Sequence, residues 1–151
     1  MYDRAERAAS LFRQGYNCAQ ASFLAFSDLT GLDTDTAVRV ASCFGGGIGR
    51  MREVCGAASG ALMALGMLYT PEDPSDQAKK AEYYERIQRY AQRFRACNGA
   101  LLCRDLLGNQ AGKGPVPEAR TESYYQRRPC EQIVFHAVRL MDELLSELRS
   151  V

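Results

Sequence analysis

Histidine is nearly missing from this chain: His136 is the only one in 151 residues. Zinc sites that mix cysteine with closely spaced histidine are thereby close to excluded. The six cysteines, at positions 18, 43, 55, 97, 103 and 130, contain no Cys-x-x-Cys pair. That rules out a thioredoxin-type motif and the usual zinc ribbon. Charge of one sign is also missing. Nineteen Lys and Arg stand against 18 Asp and Glu, a net +1. No basic stripe is available to neutralise phosphates, so no nucleic-acid partner is expected. The cluster from Arg86 through Arg95 alternates with aromatic residues and reads as the wet face of a helix. Long apolar runs are lacking as well. The longest, 57–69, is broken by Ser59, Gly60 and Gly66 and is too short for a bilayer, so no membrane partner is expected. The charged start, Met1 to Glu6, has no apolar signal core, and a cytoplasmic protein is expected. Six cysteines are too few for a secreted disulfide scaffold of this length. In a reducing cytosol they are more often metal ligands or redox thiols than staples.

What is present is helical patterning. Strand-like alternation is not convincing anywhere, and the chain (1–151) reads as one all-α domain, a bundle of about five to seven helices. The first helix runs from Asp3 to Gln14 and stops at Gly15. Asn17 caps a second, which continues to about Leu29. Asp33 begins a third that reaches Phe44. After a glycine turn, a fourth helix covers about 53–69; it is apolar nearly all round, which marks it as the buried centre of the bundle. A long fifth helix spans 77–96 and a short one 100–107. Residues 108–121 are rich in Gly and Pro and read as an irregular loop. The last helix, 129–148, carries Ile133, Val134, Ala137, Leu140, Met141, Leu144, Leu145 and Leu148 on one side.

Three cysteines fall where helices should begin: Cys18 after Asn17, Cys55 after the glycine turn, and Cys130 after Pro129. A helix start offers free N–H groups and the positive end of the dipole. A thiol there ionises more readily, and the thiolate is the form that attacks disulfides and binds metals. The faces beside Cys18 (Ala21, Ser22, Ala25) and Cys55 (Ala58, Ser59) are small, so two helix backbones can approach there. Cys43, at a helix end, and Cys97 read as packing residues. Cys103 faces Leu106 and Leu107 and by itself looks like core. His136 reads as a boundary residue on the flank of the final helix. The turn Gly45-Gly46-Gly47-Ile48-Gly49 lacks both the third glycine of a dinucleotide fingerprint and the Lys-Ser/Thr of a phosphate loop. It can bring bare backbone N–H groups against an anion, a thiolate or a cluster sulfide. Gly45, Gly46, Gly47, Gly49 and Arg50 are therefore candidate cofactor-binding residues, with Arg52 adding positive charge beside Cys55.

The run Cys55-Gly56-Ala57-Ala58-Ser59-Gly60 resembles the signature of a redox-active family called C-GCAxxG-C-C. The stretches Phe44 to Arg50 and Tyr16 to Ala21 are similar to that family too. The resemblance covers nearly the whole chain. It implies a four-cysteine set of Cys18, Cys55, Cys103 and Cys130, with Cys43 and Cys97 extra to it. A similar module is associated with an iron–sulfur-like centre in a multihaem cytochrome, although this chain has no Cys-x-x-Cys-His with which to attach haem.

Three functions are weighed. In the first, the four thiolates hold an iron–sulfur cluster or another metal, and an electron-transfer or oxidoreductase partner is implied. In the second, Cys18 or Cys55 attacks in thiol–disulfide exchange and the other resolves. In the third, the protein is a non-catalytic binding or assembly module with core cysteines, and the apolar stripe of the last helix is a homodimer face. The redox readings predict that the four thiols meet near the glycine turn and are unusually acidic.

Overall fold

The computed structural model describes residues 3–150; Met1, Tyr2 and Val151 lie outside it. Among the described residues the fold is all-α, with no strand. In chain order the segments are α1 (Arg4–Arg13), α2 (Cys18–Leu24), α3 (Ser27–Thr30), α4 (Thr34–Ala41), a single irregular turn α5 (Gly45–Ile48), α6 (Gly56–Tyr69), α7 (Gln77–Asn98), α8 (Cys103–Leu107), α9 (Glu122–Arg127) and α10 (Cys130–Arg149).

Local chemistry sets most of these boundaries. The Asp3 side chain accepts from the Glu6 N–H and opens α1. Asn17 and Gln20 form a reciprocal capping box that opens α2. Asp33, Asp76 and Thr121 cap α4, α7 and α9 in the same one-sided way as Asp3. Gly99, at φ +95, closes α7.

Helix α6 lies at the centre. Ala57, Ala58, Ala61, Ala64 and Leu65 are fully enclosed, and α2, α10 and α7 pack around it. Its small residues decide how near the neighbours come. A Cβ added at Gly60 would run into the carbonyl oxygen of Ala19 and stand 2.9 Å from Ser22 Cβ, so the backbones of α2 and α6 touch there. Helix α10 supplies the bulk that α6 lacks. Val134, Val138, Met141, Leu144 and Leu145 are wholly buried beside Phe12, Phe26, Tyr90 and Phe94. Each such side chain contributes roughly 1.5–3 kcal/mol relative to exposure. The buried Tyr90 hydroxyl keeps a partner by donating to the Ala137 carbonyl at 2.8 Å.

Four features differ from the sequence reading. The second helix does not run unbroken to Leu29; it ends at Leu24, and α3 follows after a break at Ala25 and Phe26. The central helix begins at Gly56, because 53–55 is extended. Val54 pairs with Leu102 in an isolated antiparallel bridge. That bridge also removes residues 100–102 from the short helix, which starts at Cys103. Finally, the apolar stripe of α10 is spent in the chain's own core, so it offers no dimer face.

A candidate four-cysteine site

All four cysteines of the implied set line one cavity of ≈ 230 Å³. Each stands at a helix start. Cys18, Cys103 and Cys130 are the first residues of α2, α8 and α10, and Cys55 is the residue immediately before α6. Cys103 thus shares the placement of the other three, which its sequence surroundings do not display.

The bridge positions two of the thiols. Cys55 N–H donates to the Leu101 carbonyl at 2.9 Å, and Cys103 N–H donates to the Glu53 carbonyl at 2.7 Å. Cys55 and Cys103 therefore flank the Val54–Leu102 pair. Cys18 reaches the same place from α2: a Cβ added at Gly56 would stand 2.5 Å from Cys18 Sγ. Only glycine leaves room for that sulfur against the start of α6.

The glycine turn is an unusual piece of backbone. Gly46, Gly47 and Gly49 are left-handed, at φ +68, +67 and +53. Ile48, Arg50 and Arg52 are left-handed too, at φ +65, +69 and +62. Left-handed non-glycine residues are costly, a β-branched one especially so, and they normally occur singly. The run is held by long-range closures: Gly49 N–H to Cys43 O, Arg52 N–H to Gly46 O and Glu53 N–H to Gly47 O. Strain of this kind persists only where the surroundings enforce it, and it concentrates at functional sites. Here the run turns Gly45 and Gly46 toward the cavity and brings Arg50 and Arg52 to its wall. Gly47 does not line the cavity; a Cβ there would stand 2.7 Å from Cys103 Cβ, so it backs that residue instead. A Cβ at Gly49 would meet nothing within 4 Å, so that glycine serves the turn alone.

Every one of the four sulfurs has a neighbouring donor. The Gly46 N–H serves Cys18, and the Ala57 and Ala58 N–H groups serve Cys55. Arg52 Nη1 lies 3.6 Å from Cys103 Sγ, and the Arg128 guanidinium favours the charged form of Cys130. Cys18, Cys55 and Cys130 are nevertheless not acidic, contrary to the expectation from helix starts. Burial pushes Cys18 and Cys55 above the ordinary thiol range, Cys55 well above it, and lifts Cys130 to about 11. Each would-be thiolate also opposes ionisation of its neighbours: Cys18 acts on Cys55 and Cys130, and Cys103 acts on Cys18 and Cys130. Desolvation outweighs the helix-start N–H groups. The folded chain thus retains thiol protons at pH values where an unfolded chain has begun to lose them. Stability of the reduced, metal-free protein should be at its full value below the ordinary thiol pKa of 9.0 and decline as pH rises toward about 11. Urea melts across that window test this, and an unchanged midpoint would contradict it.

Cys43 and Cys97 lie outside the site. Both are exposed, so neither is the packing residue that the sequence suggested. His136 is a boundary residue, as expected, with Nδ1 3.0 Å from Asn98 Oδ1. The sequence reading missed Arg120, Arg128, Glu118 and Tyr124, all of which line the cavity. Arg120 fastens the 111–120 loop over it. It donates to the Phe12 and Tyr16 carbonyls, at 2.9 and 3.1 Å, and its guanidinium sits 4.1 Å from the centre of the Phe12 ring. Arg128 had a readable signal, a cation two residues before a helix-start cysteine.

A family model described as "Putative redox-active protein (C_GCAxxG_C_C)" matches residues 16–144, and the chain belongs to that family. The matched span contains all four cavity cysteines. No curated protein and no solved structure matched the chain. Among the described residues no helix is long and apolar enough to cross a membrane.

Proposed function

We propose that Cys18, Cys55, Cys103 and Cys130 are the redox centre of this protein and serve as thiolate ligands of an iron–sulfur cluster. The observation that carries this reading is the cavity itself: four thiols line it, each at a helix start. Four thiolates are the number such a cluster takes, and donors to the sulfurs tune its potential. The donor set fits a cluster better than a single ion. Among the described residues no three His, Cys, Asp or Glu side chains are grouped to hold one metal ion. A [4Fe–4S] cluster instead spreads four irons, each taking one cysteine. Arg50, Arg52, Arg120 and Arg128 around the cavity suit a centre of net negative charge.

Burial that keeps the Cys18, Cys55 and Cys130 thiols protonated argues against the exchange reading. A neutral thiol is a poor nucleophile, whereas metal coordination removes the proton outright. When bound, a cluster supplies one-electron transfer. The chain's own residues then supply the ligands, the sulfur hydrogen bonds and a shielded cavity. Six free thiols suit a reducing compartment, which favours a cytoplasmic setting. An electron-transfer partner follows from the same reading.

The test is iron and acid-labile sulfide analysis with a visible spectrum after anaerobic purification. Both elements should be present, with broad visible absorption, and Cys103→Ser should lose most of each. A protein that stays colourless and iron-free after anaerobic reconstitution would overturn the reading.

A further inference from the structure

The cavity holds more positive charge than its own residues can balance. Arg50, Arg52, Arg120 and Arg128 line it, against a single acid, Glu118. Arg120 is committed to the Phe12 and Tyr16 carbonyls. The other three are not fully used. Arg52 is 8% exposed; its Nε donates to Gly112 O at 3.1 Å and its Nη1 approaches Cys103 Sγ, but Nη2 has no partner. Arg128, also 8% exposed, pairs through Nη2 with Glu118 Oε2 at 3.2 Å, while its Nε has none. Glu118 is itself shared with the exposed Arg127. Arg50 donates Nε to Gly114 O, and burial together with the charges of Arg52 and Arg128 depresses its pKa. Buried guanidinium N–H groups without acceptors are rare in folded proteins, and an ion is one of the recognised explanations.

We propose that this cavity binds a small divalent oxyanion, whose oxygens accept from Arg52 and Arg128 while Arg50 completes the charge. Guanidinium forks match oxyanions in shape as well as sign. Three cations facing one carboxylate leave an excess that a dianion would cancel. Size points the same way. At ≈ 230 Å³ the cavity falls below the about 300–1,000 Å³ usual for organic ligands and cofactors. Because Arg52 also touches Cys103, a bound anion would lie next to the thiols. The inference goes beyond the redox reading and does not require a cluster, since it depends on the arginines.

Isothermal titration of the reduced full-length protein with millimolar sodium sulfate tests it, with sodium chloride of equal ionic strength as the blank. Saturable binding of one sulfate per chain is expected. Arg52→Gln and Arg128→Gln should each weaken it by about tenfold, the loss that accompanies one charge-assisted hydrogen bond. Arg89→Gln, on the exposed face of α7, should leave it unchanged. Absence of saturable heat, or equal affinity in wild type and both cavity variants, would overturn the proposal. Should a cavity variant fail to fold, thermal melting of the wild type decides: its midpoint must rise more in millimolar sulfate than in the matched chloride. Iron content enters neither measurement, so a protein that stays iron-free after anaerobic reconstitution and still binds sulfate would sink the cluster reading alone.

Discussion

Gly60→Ala is expected to lower the thermal midpoint more than any single change in the cysteines. The added Cβ would be forced onto the Ala19 carbonyl oxygen and to 2.9 Å from Ser22 Cβ. Neither obstacle is a flexible side-chain end. The carbonyl belongs to the first turn of α2, and Ser22 is fully buried. The two helices must separate, and α6 carries the central contact of the bundle. Overpacking of this kind costs typically about 1–3 kcal/mol, and backbone contact places this case at the upper end. For a chain of this size, about 3 kcal/mol corresponds to a fall of roughly 6–12 °C in the midpoint. Calorimetry measures it directly. A midpoint within a degree or two of wild type would mean that α2 and α6 are not in backbone contact.

Gly47→Ala should damage the site rather than the bundle. Position 47 is left-handed, at φ +67, and a Cβ there would stand 2.6 Å from the Glu53 N and 2.7 Å from Cys103 Cβ. The left-handed conformation alone costs an alanine about 1–2 kcal/mol. The larger consequence is local. Gly47 O accepts from the Glu53 N–H at 2.9 Å, and Glu53 O in turn accepts from the Cys103 N–H. Displacing this chain shifts Cys103 and loosens the bridge beside Cys55. On the cluster reading, loss of such support should lower metal affinity by about 10–100-fold while helical content stays near wild type. Gly49→Ala is the matched control. It is equally left-handed, at φ +53, but meets nothing within 4 Å. It should lose about 1 kcal/mol of stability and keep its iron. Equal iron content in the two variants would remove Gly47 from any role in positioning Cys103.

Much of the bundle was legible because its signals are local. Asn17, Asp33 and Asp76 cap where their side chains predict, and Gly99 ends α7. The even apolarity of 57–65 marks a buried helix without reference to any partner. The Val54–Leu102 bridge was not legible. Its extended pieces are too short for alternation to register, and the pairing joins distant positions. Cys103 therefore read as an interior helix residue, although it begins one. Helix α9 follows the Gly- and Pro-rich stretch and went unread, because six residues are too few for a helical period to register. The site residues divide in the same way. Cys18, Cys55 and Cys130 announce themselves by position, whereas Arg120 and Arg128 reach the cavity through tertiary folding that no periodicity encodes. The expectation of acidic thiols failed for a physical reason. A helix start speaks for the thiolate, but sequence alone does not tell how much water is excluded around it, and here burial is the stronger effect.

The spacing of the four helix-start cysteines also sets a timetable. Cys18 is made early in synthesis, and Cys130 only when the last helix begins to leave the ribosome. Cys103 reaches its place once the Val54–Leu102 bridge has closed a long loop, a slow kind of contact to form. No partial product of translation can therefore hold a complete site. Any bound group must enter once α10 has docked, past Pro117 and Glu118 on the cavity wall, or before the 111–120 loop has been fastened down by Arg50, Arg52 and Arg120. Those three arginines thus act as the clasp of a closed vessel, and loading waits on the docking of the last helix.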